Sequence, residues 1–167
     1  MKILVISDSH GYDENVMRAL EEEQPIDALI HLGDSQGSAD EIRYLADCES
    51  YMVAGNCDFF SGLPEMAVAE IAGHRIMMTH GHHHSVNSGT KYLVYEAREN
   101  GCDIALYGHT HIPEIDSSDP DVLVMNPGSI SLPRQSGRQP SYLVIEVGED
   151  GVLQPELKFF EKNKKKR

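Results

Sequence analysis

Seven residues of this 167-residue chain offer donor atoms for divalent metals: Asp8, His10, Asp34, Asn56, His80, His109 and His111. Two carboxylates, one amide and four imidazoles make a mixed oxygen and nitrogen set with no cysteine. That chemistry suits manganese, iron, cobalt, nickel or zinc, and availability decides among them as much as affinity does. A catalytic zinc ion typically takes three protein ligands, so seven donors exceed one ion's needs. They suit two ions about 3.5–4 Å apart, bridged by one carboxylate and a hydroxide. In ALYGHTHIPE, Ala105 to Glu114, two histidines one residue apart stand where an apolar run opens into a loop. At that spacing each imidazole can reach a different ion, and Gly108 lets the backbone pass close beneath.

The donors need a common rim, and the elements around them supply one. KILVIS (Lys2 to Ser7) reads as a buried parallel strand that opens into Asp8-Ser9-His10. DALIHLGD (Asp27 to Asp34) and SYMVAGN (Ser50 to Asn56) read as strands ending at the next two donors. Helices are expected over Asp13 to Gln24, Ala39 to Asp47 and Thr90 to Asn100, the last stopped by Gly101. EMAVAEIA and HRIMMTHG form a hairpin about Gly73-His74 and deliver His80. DIALYGH delivers His109, and DVLVMNPGS, SYLVIEV and VLQPELKFF complete about ten strands. Ligand sites in open α/β sheets lie beyond the carboxyl ends of the strands, which is where every donor falls. An alternating β/α half followed by a mostly antiparallel half implies two packed sheets with helices outside.

Bulk properties narrow the function. The length fits one domain, residues 1–161, followed by a basic tail, 162–167, expected to be disordered. The net charge is −13, and the tail holds five of the 14 basic residues, which leaves −18 on the first 161. Such a surface repels polyanions, so extended nucleic-acid binding is not expected. No apolar run reaches the roughly 18 residues of a membrane span, and MKILVISDSHG lacks a signal peptide's apolar region and cleavage site. Cys48, Cys57 and Cys102 make neither a disulfide framework nor a CxxC pair, which is consistent with a reducing cytoplasm. The oligomeric state stays open, a homodimer or higher assembly included.

DSHG, Gly33-Asp34, GNCD (Gly55 to Asp58), THGH (Thr79 to His82) and GHTH (Gly108 to His111) occur in this order, followed by NPGS at Asn126 to Ser129. Together they resemble the calcineurin-like metallophosphoesterases, and in particular their small bacterial and archaeal phosphodiesterases, over roughly residues 1 to 130. The resemblance implies a four-layer α/β/β/α sandwich and two divalent ions, manganese first among the candidates. It implies that Asp8, His10 and His111 hold one ion, that Asn56, His80 and His109 hold the other, and that Asp34 bridges them. A small phosphodiester would be hydrolysed by in-line attack of a metal-activated hydroxide. Many relatives carry histidine after the asparagine, whereas this chain has Cys57, as the close subgroup does. A thiol protonates an alkoxide less readily than an imidazolium does, so leaving-group protonation would fall to His82 or solvent. Asn56, Cys57, Asp58 and His82 are therefore the candidate catalytic residues, with Asp58 orienting a neighbour.

Other readings compete. A non-catalytic scaffold on the same fold would tolerate lost ligands, a phosphomonoesterase would share the site, and an aspartyl-phosphate enzyme would place an aspartate where His10 stands. Asp8 alone could cap the first helix. His31 reads as a core histidine, His74 as exposed in a turn, His83 and His84 as loop surface or substrate rim, Cys48 and Cys102 as packing residues, and Arg134 and Arg138 as an exposed loop.

Overall fold

The computed structural model describes residues 1–161; the basic tail expected at 162–167 lies outside the described residues. Fifteen elements run in the order β1 (Lys2–Ile6), α1 (Glu14–Glu23), β2 (Ala28–His31), α2 (Ala39–Ala46), β3 (Glu49–Met52), β4 (Met66–Ile71), β5 (His74–Thr79), two short 3-10 turns (His82–His84 and Val86–Ser88), α3 (Lys91–Glu99), β6 (Ile104–Leu106), β7 (Pro113–Asp116), β8 (Leu123–Pro127), β9 (Ser141–Val147) and β10 (Leu153–Phe159). The strands make two five-stranded sheets, ordered β10-β9-β1-β2-β3 and β4-β5-β6-β8-β7. This is the four-layer α/β/β/α sandwich the sequence led us to expect.

The alternation along β1 shows why the sheets stack. Ile3 and Val5 point into a cluster shared with Ile76, Met78, Ile104 and Leu106 of the second sheet. Leu4 and Ile6 point the other way, onto Val16 and Leu20 of α1 and Ile42 of α2. All four are fully buried, so the strand needs apolar residues on both faces and reads as a continuous run. On the far side Leu93 and Ala97 of α3 cover Met77, Ala105 and Val124.

β1 runs parallel to β2, and β2 to β3. In the second sheet β5, β6 and β8 are parallel to one another. Their carboxyl ends open onto a single rim: the Gly108 amide donating to the His80 carbonyl ties the ends of β6 and β5 within the second sheet, and the Ile130 amide donating to the Ser7 carbonyl ties the two sheets together, both at 3.1 Å. Two details depart from expectation. β3 ends at Met52 and not at Asn56, because the chain must leave the sheet to present the GNCD loop. β7 was not anticipated: Pro-Glu-Ile-Asp lacks a strand's usual residues, yet an edge position tolerates its proline.

Candidate metal centre

Each donor sits in the first residues past its strand, where the chain turns sharply. Five of the seven positions hold a positive φ: Asp8 at 55°, His10 at 51°, Asp34 at 58°, His109 at 68° and His111 at 59°. Non-glycine residues adopt that region at a cost of order 1–3 kcal/mol each, and such strain concentrates at functional sites. The loops crowd together. A Cβ on Gly55 would stand 2.0 Å from Asp34 Oδ1, and one on Gly108 would stand 2.1 Å from Ser7 Oγ and 2.9 Å from Asp8 Oδ2.

The donor atoms converge. Asp8 Oδ1 lies 3.1 Å from His111 Nε2 and 3.8 Å from both His10 Nε2 and His80 Nε2. His10 Nε2 and His111 Nε2 are 3.3 Å apart. His80 Nε2 lies 3.1 Å from Asn56 Oδ1, 3.3 Å from His109 Nδ1 and 3.3 Å from Asp34 Oδ2. Asp34 Oδ2 is also 3.7 Å from His10 Nε2, so it stands between the two groups.

The outward atoms of these side chains are tied down, which sets the tautomers. Leu32 O lies 2.7 Å from His80 Nδ1 and Leu132 O 2.6 Å from His111 Nδ1. A carbonyl only accepts, so both Nδ1 atoms carry a proton, and it is the inward Nε2 atom that presents a lone pair once the ring is neutral. Gln36 Oε1 holds His10 Nδ1 at 3.1 Å, and the Asn87 amide lies 3.2 Å from His109 Nε2. Asp8 Oδ2 accepts from Ser7 Oγ at 2.6 Å and from the His109 amide at 3.1 Å. Its Oδ1, fully buried, accepts no hydrogen bond. A buried, unpartnered carboxylate oxygen facing imidazole lone pairs fits a cation.

The electrostatics agree. Burial opposes ionisation of Asp8 and Asp34. For Asp8 the imidazoles of His111 and His80 facing it outweigh it; for Asp34 the imidazole of His80 does. Both carboxyls are held below the usual range. Burial likewise disfavours charging His80, but the hydrogen bond to Asp34 and the charge of Asp8 raise its pKa. Burial and His80 together lower that of His109. Such a pocket favours ionised acids and added positive charge.

The remaining candidates sit around this cluster in different roles. Asp58 accepts from the amides of Asp34 at 2.6 Å, Gln36 at 2.7 Å and Gly55 at 2.9 Å, and from Ser35 Oγ at 3.2 Å. It thus clamps the loop after β2 to the loop after β3. The Cys57 amide donates to Asp34 Oδ1 at 2.8 Å, and its Sγ accepts from Asn56 Nδ2 at 3.4 Å. Burial and the charge of Asp34 push its thiol up, so it stays protonated at neutral pH. The His82 ring lies tilted 5.4 Å from the His80 ring and 6.1 Å from that of His109, measured between centroids. Burial and the neighbouring histidines lower its pKa to about 4, so it is a neutral imidazole at pH 7 and not an imidazolium acid.

Sequence reading missed several supports. Ser129 Oγ and Ser131 Oγ donate to the Asp8 carbonyl at 2.8 and 2.9 Å, and Asn126 donates to the Gly108 carbonyl at 3.1 Å. The NPGS stretch marked the first and last of these, but nothing in the sequence marked Ser131, Gln36 or Asn87. Two histidines also depart from expectation. His74 is half-buried, held between Asp103 and the Gly151 carbonyl, because the β9-β10 turn folds over it. His84 is buried and paired with Glu96 of α3, which covers the turn after β5. His31 is in the core, 3.1 Å from Ser9 Oγ, as expected. Asp8 does not cap α1, whose first-turn flank is Asp13.

Residues 1–150 match the model of the calcineurin-like phosphoesterase superfamily domain. The chain belongs to that superfamily. Among its superfamily relatives, Probable metallophosphoesterase YsnB of Bacillus subtilis is 35% identical over 153 residues, 91% of this chain and 88% of that one. Phosphodiesterase MJ0936 of Methanocaldococcus jannaschii is 30% identical over 146 residues, 77% of this chain and 83% of its own. A Streptococcus pneumoniae TIGR4 structure, described as a predicted phosphoesterase, superposes with a TM-score of 0.78 at 32% identity, covering 95% of this chain and 97% of that one. A single mutant of Vps29 from Entamoeba histolytica gives 0.76 at 26% identity, covering 96% and 100%. Membership implies a metal-dependent phosphoester hydrolase using divalent ions. No described helix is long and apolar enough to cross a membrane.

Proposed function

We propose that this protein is a dinuclear metal-dependent phosphodiesterase acting on a small phosphodiester. One observation carries the reading: Asp34 Oδ2 stands between two donor groups, 3.7 Å from His10 Nε2 and 3.3 Å from His80 Nε2. Asp8, His10 and His111 would hold one ion, Asn56, His80 and His109 the other, with Asp34 shared. Bound divalent ions supply a water-derived nucleophile at neutral pH and neutralise the phosphoryl oxygens. The chain supplies the rest. Asp8 and Asp34 stay ionised because imidazoles face them, and Asp58 fixes the Asp34 backbone through its amide. Neutral His82 can donate a hydrogen bond to a phosphoryl oxygen. Cys57, a protonated thiol, gives little help to a poor leaving group.

A diester is favoured over a monoester by the charge of the surroundings. No lysine or arginine side chain is bonded to any of the seven donors among the described residues. A diester carries one negative charge and a monoester close to two, so the diester needs less compensation. The phosphodiesterase name of one relative supports the same choice. The test is turnover of bis(p-nitrophenyl) phosphate against p-nitrophenyl phosphate by manganese-loaded protein. We expect the diester to be favoured by about tenfold or more in kcat/KM, a difference of ~1.4 kcal/mol in barrier. Monoester preference would reverse the assignment, and two bound ions with neither ester hydrolysed would support a scaffold.

A further inference from the structure

Phe59 and Phe60 follow the GNCD loop directly and are 80% and 106% exposed. They are two of only four phenylalanines in the chain. Phe60 has φ 58°, a left-handed conformation that is an outlier for a bulky side chain. A groove of about 400 Å³ runs beside them, and its walls include Asn56, His82, His83 and Glu65. Two of those wall residues, Asn56 and His82, also stand at the metal centre, so the groove is continuous with the place where a phosphate would sit. We propose that this groove, with Phe59 and Phe60 as its platform, is the subsite for a nucleobase carried by the phosphodiester, an inference that rests on the phosphodiesterase reading.

The chemistry of the groove selects a flat, uncharged group. Phenylalanine rings offer π faces, and stacking on an aromatic side chain is worth about 1–3 kcal/mol per base while tolerating any base. Glu65 and His83, 3.4 Å apart on the rim, offer an acceptor and a donor for ring-edge groups. The volume matches a nucleoside-sized ligand, within the roughly 300–1,000 Å³ of small-molecule sites. Two side chains fall far short of the roughly 800 Å² that each partner buries in a stable protein interface. The acidic surface, −18 over the first 161 residues, disfavours a long polyanion but not a mononucleotide ester whose one charge sits at the metals.

The test compares p-nitrophenyl thymidine 5′-phosphate with ethyl p-nitrophenyl phosphate on manganese-loaded protein. The leaving group is the same, so the nucleoside is what differs. We expect wild type to favour the thymidine ester through a lower KM, and F59A/F60A to reduce that preference about tenfold. F59L/F60L, which keeps the apolar bulk without the π faces, should lose it as well. Calorimetric titration of the same two esters into metal-free protein, which cannot turn them over, reads binding apart from turnover. If wild type hydrolyses neither ester, the phosphodiesterase reading fails, and calorimetry still judges the platform. Equal affinity of wild type for both esters, or a preference that survives in F59A/F60A, would overturn the proposal. So would a wild-type dimer in sedimentation that F59A/F60A abolishes, since the pair would then be an interface.

Discussion

Asp34 should matter more than any other single donor, because both donor groups close on one of its oxygens. His111 meets only the Asp8 and His10 side. Asp34→Asn removes the charge from both groups, while His111→Ala removes one ligand from one. We expect Asp34→Asn to lower kcat/KM by about 10³ or more, and by about tenfold beyond His111→Ala; comparable losses would refute the shared carboxylate. Cys57 is the other residue-scale test. Its raised thiol pKa leaves it a weak acid beside Asp34. Cys57→His should therefore raise turnover of alkyl diesters relative to nitrophenyl ones, whose leaving group needs little protonation. Cys57→Ala should stay within about tenfold of wild type on a nitrophenyl diester, ~1.4 kcal/mol. A loss as complete as that of a metal-ligand variant would mean the thiol has a role not accounted for.

At the scale of elements, Asp58 joins the ends of β2 and β3, and Glu23 joins α1 to the first sheet. Asp58→Asn puts an amide N–H against amides that need an acceptor, so the Asp34 and Gly55 loops should loosen. Outer-shell changes of this kind cost about 10–100-fold in metal affinity, and manganese titration of the variant reads it directly. Unchanged affinity would show that the loops hold themselves. Glu23 is buried, bonded to Lys2, Lys158 and Tyr142. Burial opposes its ionisation, but Lys158 and Lys2 together hold its carboxyl below the ordinary 4.5. A depressed carboxyl stabilises the fold above the unfolded pKa, and that contribution is lost as pH falls through the folded value. Wild type should therefore exceed Glu23→Gln in Tm at pH 7, and the gap should narrow as pH drops below about 4.5. A gap constant from pH 7 to pH 3 would remove the ion pairs from the account.

For the whole molecule, ion binding and folding are coupled, since the seven donors come from five separate loops that meet only when both sheets have stacked. Saturating manganese should bring two ions per chain by elemental analysis and raise Tm, because ligands that bind only the native state stabilise it by mass action. Protons compete with the ions. His80 must release its Nε2 proton, and the charges of Asp8 and Asp34 keep that proton on to a higher pH than in free histidine. Manganese affinity should thus rise with pH across neutrality. One ion per chain at saturation, or an affinity flat from pH 6 to 8, would count against this picture.

Strand identities and donor positions were legible along the chain because both are local. A buried strand needs apolar residues on two faces, and a donor needs a short turn with glycine near it, so KILVIS-Asp8 and ALYG-His109 declare themselves in a few residues. β7 did not, because Pro113 to Asp116 pairs only through β8 and carries no pattern of its own. His74 and His84 looked like surface until elements distant in sequence, the β9-β10 turn and α3, folded over them. The partners that orient the imidazoles are the carbonyls of Leu32 and Leu132. A backbone carbonyl is the same on every residue, so no side-chain type announces it. Likewise, the unpartnered oxygen of Asp8 and the low pKa of His82 arise from what surrounds them in space. Residue types state which chemistry is possible; burial and distance, set by the stacking of two sheets, determine the protonation and direction of each group.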